Sequence, residues 1–536
     1  MGGDRRSQWQ GVRRRGRRRK HTNGRGILTP SFVCTRLPPD GQPAGRGGWR
    51  RLQRTTLLSR SSSRTALPPP PPPLSSPPDY SGFSFTTDFE SKTDRSRTGL
   101  LETPHGTVET PNFIFCATKA AIKGLNMEQM KDAGTQFILS NTYHLFLNPG
   151  PEIVESRGGL QSFTGWRGPM LTDSGGYQIF SMGHGSVSEE IKGKRQEDEK
   201  KGATLKGKID AKSGEYRADA EKQPSSASGL LKISEHGAKF RSYVNGSIKE
   251  LTPEVSIQAQ RSLGADIILV LDECTPFRVT KEYTEGAMKR SHRWAFRSLS
   301  EFVNGQEERR RSGRPTQALY GIVQGGVYPS LRKESCEFNN EHPFFGVAIG
   351  GSLGADKRMM RKTVAVTCRM LRRDRPIHLL GVGGVRDIFH GVANGIDTFD
   401  CVHPTRLGRH GGALVKRKFW EEGLPPTSKG KDSVMKVGEH FNVAKGLFKH
   451  DDRPIDSECG CATCRNYSRA YLHHCFKSGE LVGGSLVAQH NVYFMNELMA
   501  SIRAAIRENR LEEEKAKWVH PDLEQKSALA SFNLRT

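Results

Sequence analysis

ADIILVLDEC, residues 265–274, runs without a break through Ile267, Ile268, Leu269, Val270 and Leu271 and then meets Asp272 and Glu273. A short continuous apolar run that stops on a carboxylate suits a strand buried on both faces. Seven more such runs surround it: NFIFCATKA at 112–120, TQFILSNTYH at 135–144, GPMLTDSGG at 168–176, ALYGIVQGG at 318–326, FFGVAIGG at 344–351, IHLLGVGG at 377–384 and IDTFDCVHP at 396–404. Helix-like stretches separate several of them, at 252–264, 284–302 and 357–371. Eight buried strands with intervening helices predict an α/β fold, a closed (β/α)8 TIM barrel; a doubly wound sheet is the other arrangement that periodicity permits. The barrel sets Asp173, Asp272 and Asp400 just beyond strands three, four and eight. That end of a barrel carries its chemistry.

A carboxylate on a buried strand end is costly unless it is hydrogen-bonded or employed. Capping the next helix is the plain use for any one of the three. Together they stand beside open backbone: Gly175 and Gly176 in DSGG at 173–176, GIVQGG at 321–326 beside Gln324, and Gly350 with Gly351. Such turns admit a planar ligand, and tight barrel geometry uses them too. GVGG at 381–384, on the seventh strand, lies where barrels often hold phosphate.

CGCATC at 459–464 brings Cys459, Cys461 and Cys464 together, and His490 follows 26 residues after the last of them. Three thiolates and an imidazole make the donor set of one closed, structural Zn2+ site, with no open position for catalysis. Ordinary reduced thiols are the other reading, since the remaining seven cysteines form no disulfide framework.

The chain has 536 residues and a net charge of +25. Residues 1–80 hold sixteen Arg and one Lys against three Asp, and include PPPPPPLSSPP at 68–78. Residues 1–95 are therefore expected to be a disordered basic and proline-rich extension. Its Arg-rich, acid-poor composition resembles an organelle transit segment, and RRRGRRRK at 13–20 also suits a nucleic-acid-binding tail. Localisation follows as cytoplasm, or mitochondrion or plastid if the segment directs import. A polar stretch, 192–223, reads as a surface insertion within the barrel. No run of eighteen apolar residues occurs, so no membrane span is expected.

DSGGYQIFS at 173–181, LDECTP at 271–276, GIVQGG at 321–326, AIGG at 348–351, FDCVHPTR at 399–406, CGCATCRNYSRAYLHH at 459–474 and AQHN at 488–491 together resemble the tRNA-guanine transglycosylases, the queuine tRNA-ribosyltransferase family. The resemblance covers about 99–510 and implies a barrel with a zinc-binding subdomain, here 455–510, leaving 511–536 as a charged C-terminal tail. It implies exchange of guanine, at the wobble position of tRNAs with GUN anticodons, for queuine or its precursor preQ1. Asp400 matches the nucleophile, forming a covalent ribosyl intermediate at C1′. Asp173 matches the proton acceptor for the entering base. Asp272, Gln324 and Gly351 match positions that read the guanine edge, with Ser174, Gly175 and Gly176 beside them. Tyr177 either stacks on the purine or packs in the core. Arg406 and Arg409 match a segment near the anticodon loop, and Gly381, Gly383 and Arg386 are grouped with them as RNA-binding. The partners implied are a tRNA anticodon stem-loop, a free 7-deazaguanine base and a second subunit, in a homodimer as in bacterial relatives or a heterodimer as in eukaryotic ones.

Two features divide the incoming bases. DEC at 272–274 resembles members that use preQ1, whereas Gly354, where bacterial members usually carry valine, resembles a roomier queuine pocket. Asp356 stands where the family's turn usually has Glu. A non-catalytic partner subunit, a glycoside hydrolase and a zinc-dependent RNA-binding protein are the alternative classes. None of them accounts for the strand-end aspartates, the guanine-edge residues and the metal group together.

Overall fold

The structure, a computed structural model, describes residues 73–184, 207–209, 216–218, 229–424 and 435–523. Eight parallel strands close a barrel: Asn112–Cys116, Ile138–Ser140, Met170–Thr172, Ile267–Leu269, Ala318–Val323, Gly346–Ile349, Ile377–Leu379 and Thr398–Cys401, numbered one to eight below. Each falls inside one of the eight apolar runs. Strand eight pairs with strand one, Thr398 opposite Asn112 and Cys401 opposite Phe115, so the doubly wound alternative is excluded.

The helices start and stop where local chemistry directs them. Pro253–Leu263 begins on Thr252, whose hydroxyl accepts from the Val255 amide at 3.2 Å, and ends on Gly264 in the left-handed region. A long helix, Leu481–Arg507, lays Val492, Met495, Leu498, Met499, Ile502 and Ile506 into the same core as Phe113, Phe115 and Phe399 of the barrel strands. This helix belongs to the barrel as much as to the metal-bearing segment.

Two sequence boundaries are corrected. The expected disordered stretch 1–95 lies mostly outside the described residues, but Ser84–Glu90 within it is a strand, paired with Arg97–Thr103. Leu74, Tyr80, Phe83 and Phe85 pack against a core cluster; these few apolar side chains, set among polar residues, anchor the segment without producing an apolar run. Likewise, the charged tail 511–536 begins with a docked helix, Leu511–Trp518. Trp518 sits edge-on to Phe494 with centroids 5.0 Å apart, and Lys416 lies over its ring. Four buried apolar residues, Leu511, Trp518, Val519 and Leu523, suffice to hold a segment that is otherwise charged. Residues 524–536 lie outside the described residues.

Most of the polar insertion 192–223 also lies outside them. Gly207–Ile209 and Tyr216–Ala218 are strands at one side of a five-stranded antiparallel sheet completed by Leu230–Ile233, Ala238–Arg241 and Ile248–Leu251. In chain order this sheet falls between strands three and four. Among the described residues no helix is long and apolar enough to cross a membrane.

Candidate functional site

The three aspartates meet at one end of the barrel. Asp173 directly follows strand three, and Asp272 lies three residues past strand four. Asp400 sits inside strand eight, one residue before its end, rather than beyond it. Gln324 follows strand five, and Gly351 lies two residues past strand six. Parallel strands deliver all of them to the carboxyl-terminal mouth.

Asp173 is gripped from two directions. Its Oδ1 accepts from the Thr142 amide at 2.9 Å and the Gly175 amide at 3.2 Å. Its Oδ2 accepts from Gln178 Nε2 at 3.1 Å and from the Asn141 side chain. Burial pushes its pKa up to about 7, the charge of Asp400 pushes in the same direction, and the hydrogen bonds oppose them. Desolvation wins, leaving a carboxyl poised to exchange a proton near neutral pH.

Asp272 is also raised by burial, to about 6, against hydrogen bonds from Gln324 and Ser174. Gln324 Nε2 donates to Asp272 Oδ2, and Ser174 Oγ to Oδ1 at 3.5 Å. The buried Gln324 Oε1 has no hydrogen-bond partner; neither do Thr142 Oγ1 and Gln178 Oε1. Unpaired buried polar atoms are uncommon, and three on the residues that surround Asp173 and Asp272 fit a polar ligand that completes the mouth.

Asp400 is held asymmetrically. The Gly381 amide donates to Oδ1 at 2.9 Å, while Oδ2 faces the Cys116 thiol at 3.6 Å. That bond engages the Gly381 amide of GVGG with a carboxylate, so this amide of the turn is not free to meet phosphate. Gly383 answers to packing: a Cβ there would stand 2.6 Å from Cys401 Cβ. Arg386 is tied down as well, its Nε 2.9 Å from Glu439 Oε1 and its Nη1 2.6 Å from the Leu523 carbonyl. Its guanidinium joins the segment after strand seven to the docked C-terminal residues.

Arg406 and Arg409 occupy the short helix His403–Arg409 just after strand eight. Neither pairs with a carboxylate among the described residues; Arg406 is exposed, and its charge, after burial, depresses the pKa of Arg409. Two like charges held together without a counterion suit a polyanion. Tyr177 is 40 % exposed, which removes the core-packing reading. Gly354 has φ +131°, and a Cβ there would meet Met359 Cγ at 2.6 Å. Its smallness therefore serves the backbone and does not speak for a wider pocket. Asp356 caps the helix Lys357–Met370, accepting from the Met359 amide at 2.8 Å.

Cys459, Cys461, Cys464 and His490 are all buried, and their ligand atoms lie within 4.8 Å of one another. His490 Nδ1 is 3.6, 3.6 and 3.4 Å from the three sulfurs. A tetrahedral ion with bonds of about 2.3 Å to sulfur and about 2.0–2.1 Å to nitrogen requires S···N edges of about 3.5 Å, so the group fits one metal ion. The other ring nitrogen, Nε2, donates to the Leu414 carbonyl at 2.9 Å, which fixes the tautomer and leaves Nδ1 as the ligand atom. Next in sequence, buried Asn491 accepts from the Leu414 amide at 2.8 Å and donates to the Pro404 and Gly412 carbonyls at 2.9 Å each. The metal group and the helix after Asp400 are thus fastened to one another.

Sequence reasoning passed over Asn141, Thr142, Gln178, His378 and Cys116. Asn141 and Thr142 had a legible signal, since NTYH closes the second apolar run as DSGG closes the third. Cys116 and His378 had none, because a single small or polar residue within a strand does not reveal which neighbouring strand it faces.

A (β/α)8 barrel with three carboxylates at its mouth, and a Cys3His group fastened to the segment after its last strand, defines a class of barrel enzymes with a metal-bearing appendage. The family model described as queuine tRNA-ribosyltransferase matches residues 92–212 and 195–522, the two segments overlapping inside the polar insertion. A protein named queuine tRNA-ribosyltransferase in Roseiflexus sp. (strain RS-1) is 41% identical over 444 residues, covering 81% of this chain and 99% of the relative. Those of Protochlamydia amoebophila and Thermus thermophilus are each 38% identical over 427 residues, covering 80% of this chain and 96% and 91% of the relative. The chain belongs to the queuine tRNA-ribosyltransferase family.

Proposed function

We propose that this protein exchanges guanine at the wobble position of tRNAs with GUN anticodons for a 7-deazaguanine base, in queuosine modification, through a covalent ribosyl–Asp400 intermediate. One observation carries the reading: Asp173 and Asp400 share one mouth in unlike settings. Asp400 is held by a backbone amide on one oxygen, while Asp173 is proton-accepting near neutrality. Breaking and remaking an N-glycosidic bond with retention needs that division of labour, a nucleophile for C1′ and a base for N9.

In this scheme Asp400 attacks C1′ as the C1′–N9 bond breaks, and Asp173 takes the N9 proton of the entering base before the second displacement. Asp272 accepts from guanine N1–H and the exocyclic amine, while Gln324 and the Gly351 amide meet the carbonyl edge. Ser174, Gly175 and Gly176 line the approach, and the exposed Tyr177 offers a ring to the base. Arg406 and Arg409 take anticodon-loop phosphates, because the target nucleotide must be drawn from its stack in single-stranded RNA. The Cys3His group binds one Zn2+ with a structural role. The active species is a dimer, in the cytoplasm or, if the arginine-rich N-terminal extension is a transit segment, in the mitochondrion or plastid.

The test is competition among radiolabelled guanine, preQ1, queuine and adenine for a GUN anticodon stem-loop. Exchange of guanine and at least one deazaguanine is expected, with adenine poorer by about 10²-fold or more, because adenine leaves Asp272 unpaired. Equal use of adenine contradicts the pocket, and equal turnover of free guanosine contradicts tRNA recognition.

The pH profile follows from Asp173. Its raised pKa, about 7, means that it is a protonated acid below that value and a competent base above it. Exchange is therefore expected to fall about tenfold per pH unit below about pH 7 in kcat/KM for the incoming base. A profile flat from about pH 5.5 to about 8, in folded protein, removes Asp173 from the proton-transfer step. D173A should lose exchange while keeping tRNA affinity.

A further inference from the structure

His378 lies on strand seven, fully buried, with no place in the scheme above. Its Nδ1 is 2.9 Å from Thr398 Oγ1, on the residue directly opposite it in strand eight. Its Nε2 lies 3.2 Å from Asp400 Oδ1 and has no other partner, nor is it yet aligned as a full hydrogen bond. One tautomer makes sense of both contacts. If the Thr398 hydroxyl donates to Nδ1, the ring proton sits on Nε2 and faces the carboxylate. The opposite tautomer aims a lone pair at a carboxylate oxygen in a buried site, which is repulsive.

Oδ1 of Asp400 thereby faces two N–H groups, those of Gly381 and His378, whereas Oδ2 has only the Cys116 thiol at 3.6 Å. We propose that His378 is a positioning residue whose Nε2–H, together with the Gly381 amide, holds Oδ1 so that Oδ2 is the oxygen that bonds C1′. The inference rests on the reading of Asp400 as nucleophile. In the first displacement the Oδ2–C1′ bond forms and the C1′–N9 pair leaves with the base; Oδ1 becomes the ester carbonyl and still accepts from both donors. In the second, the entering N9 bonds C1′ and the ester pair returns to Oδ2, the restored carboxylate charge being met by the same two donors. A contact slightly out of line, as here, is one that can tighten when the substrate orders the mouth.

The experiment uses full-length, metal-loaded H378F and H378Q beside the parent and D400N, with thermal unfolding and metal content confirming the fold. Steady-state exchange and the rate of trapped ribosyl–enzyme adduct are measured on an anticodon stem-loop. H378F is expected to lose about 10- to 100-fold in kcat and in adduct formation, with KM for the stem-loop unchanged within about twofold. H378Q, whose amide N–H reaches the position of Nε2, is expected to recover most of that loss. Undiminished kcat in H378F overturns the proposal, as does a folded H378Q no faster than H378F, since packing alone then explains the residue. The two readings separate cleanly. Normal exchange by D400N removes the nucleophile and this inference with it, whereas an inactive D400N beside a fully active H378F removes the role of His378 only.

Discussion

Asp400→Asn is expected to abolish base exchange, by about four orders of magnitude or more, while tRNA binding persists. The amide keeps the shape of the side chain, but its nitrogen and oxygen are poor nucleophiles, and no ester to C1′ can form. The Gly381 amide, which meets the carboxylate in the parent, can still donate to the carbonyl oxygen of the substituted side chain, so the strand end should keep its geometry. On the proposed reading RNA affinity rests on groups such as Arg406 and Arg409 and does not depend on the lost charge. Gel-shift titration of a GUN stem-loop, paired with radiolabelled guanine exchange and denaturing detection of the protein–RNA adduct, separates the two. Near-normal turnover by purified D400N would falsify the covalent mechanism.

Removing a metal ligand should act on the fold first and on activity second. C461A or H490A takes away one of four donors from a group whose spacing suits a tetrahedral ion, and a structural zinc contributes on the order of 10 kcal/mol to folding in small domains. Loss of about one equivalent of metal is expected, with a lower Tm. The path from metal to activity is visible in the contacts. His490 and Asn491 hold the Leu414, Gly412 and Pro404 backbone, and Gly408 packs so closely on the long helix that a Cβ there would lie 2.5 Å from Ala488 Cα. Slackening this joint shifts the helix that carries Arg406 and Arg409, so KM for tRNA should rise before kcat falls. A folded C459A/C461A protein that keeps one equivalent of tightly held zinc shows that the ligands are other residues.

The barrel was legible because its strands are buried on both faces. Residues such as Ile267, Ile268 and Leu269 make unbroken apolar runs, and turn glycines and carboxylates punctuate them. The Cys3His group that could hold a metal was legible for a similar reason, three of its four residues lying within six positions. Asp173, Asp272 and Gln324 could be named because each closes its run, so chain order alone puts them at the mouth.

What only the tertiary structure decided concerns groups whose partners are remote in sequence. Arg386 read as an RNA contact beside a glycine turn, yet Glu439, 53 residues away, neutralises it. Gly381 looked open to phosphate, yet its amide serves Asp400 on the neighbouring strand. Gly354 suggested a wider pocket until Met359 filled the space beside it. Trp518 stood in a charged stretch with nothing nearby in sequence to announce Phe494 and Lys416. Burial patterns repeat along a chain and can be read from it, because the hydrophobic effect acts on each segment's own side chains. Hydrogen bonds and ion pairs are directional and short-ranged, so their partners are fixed only once the barrel closes.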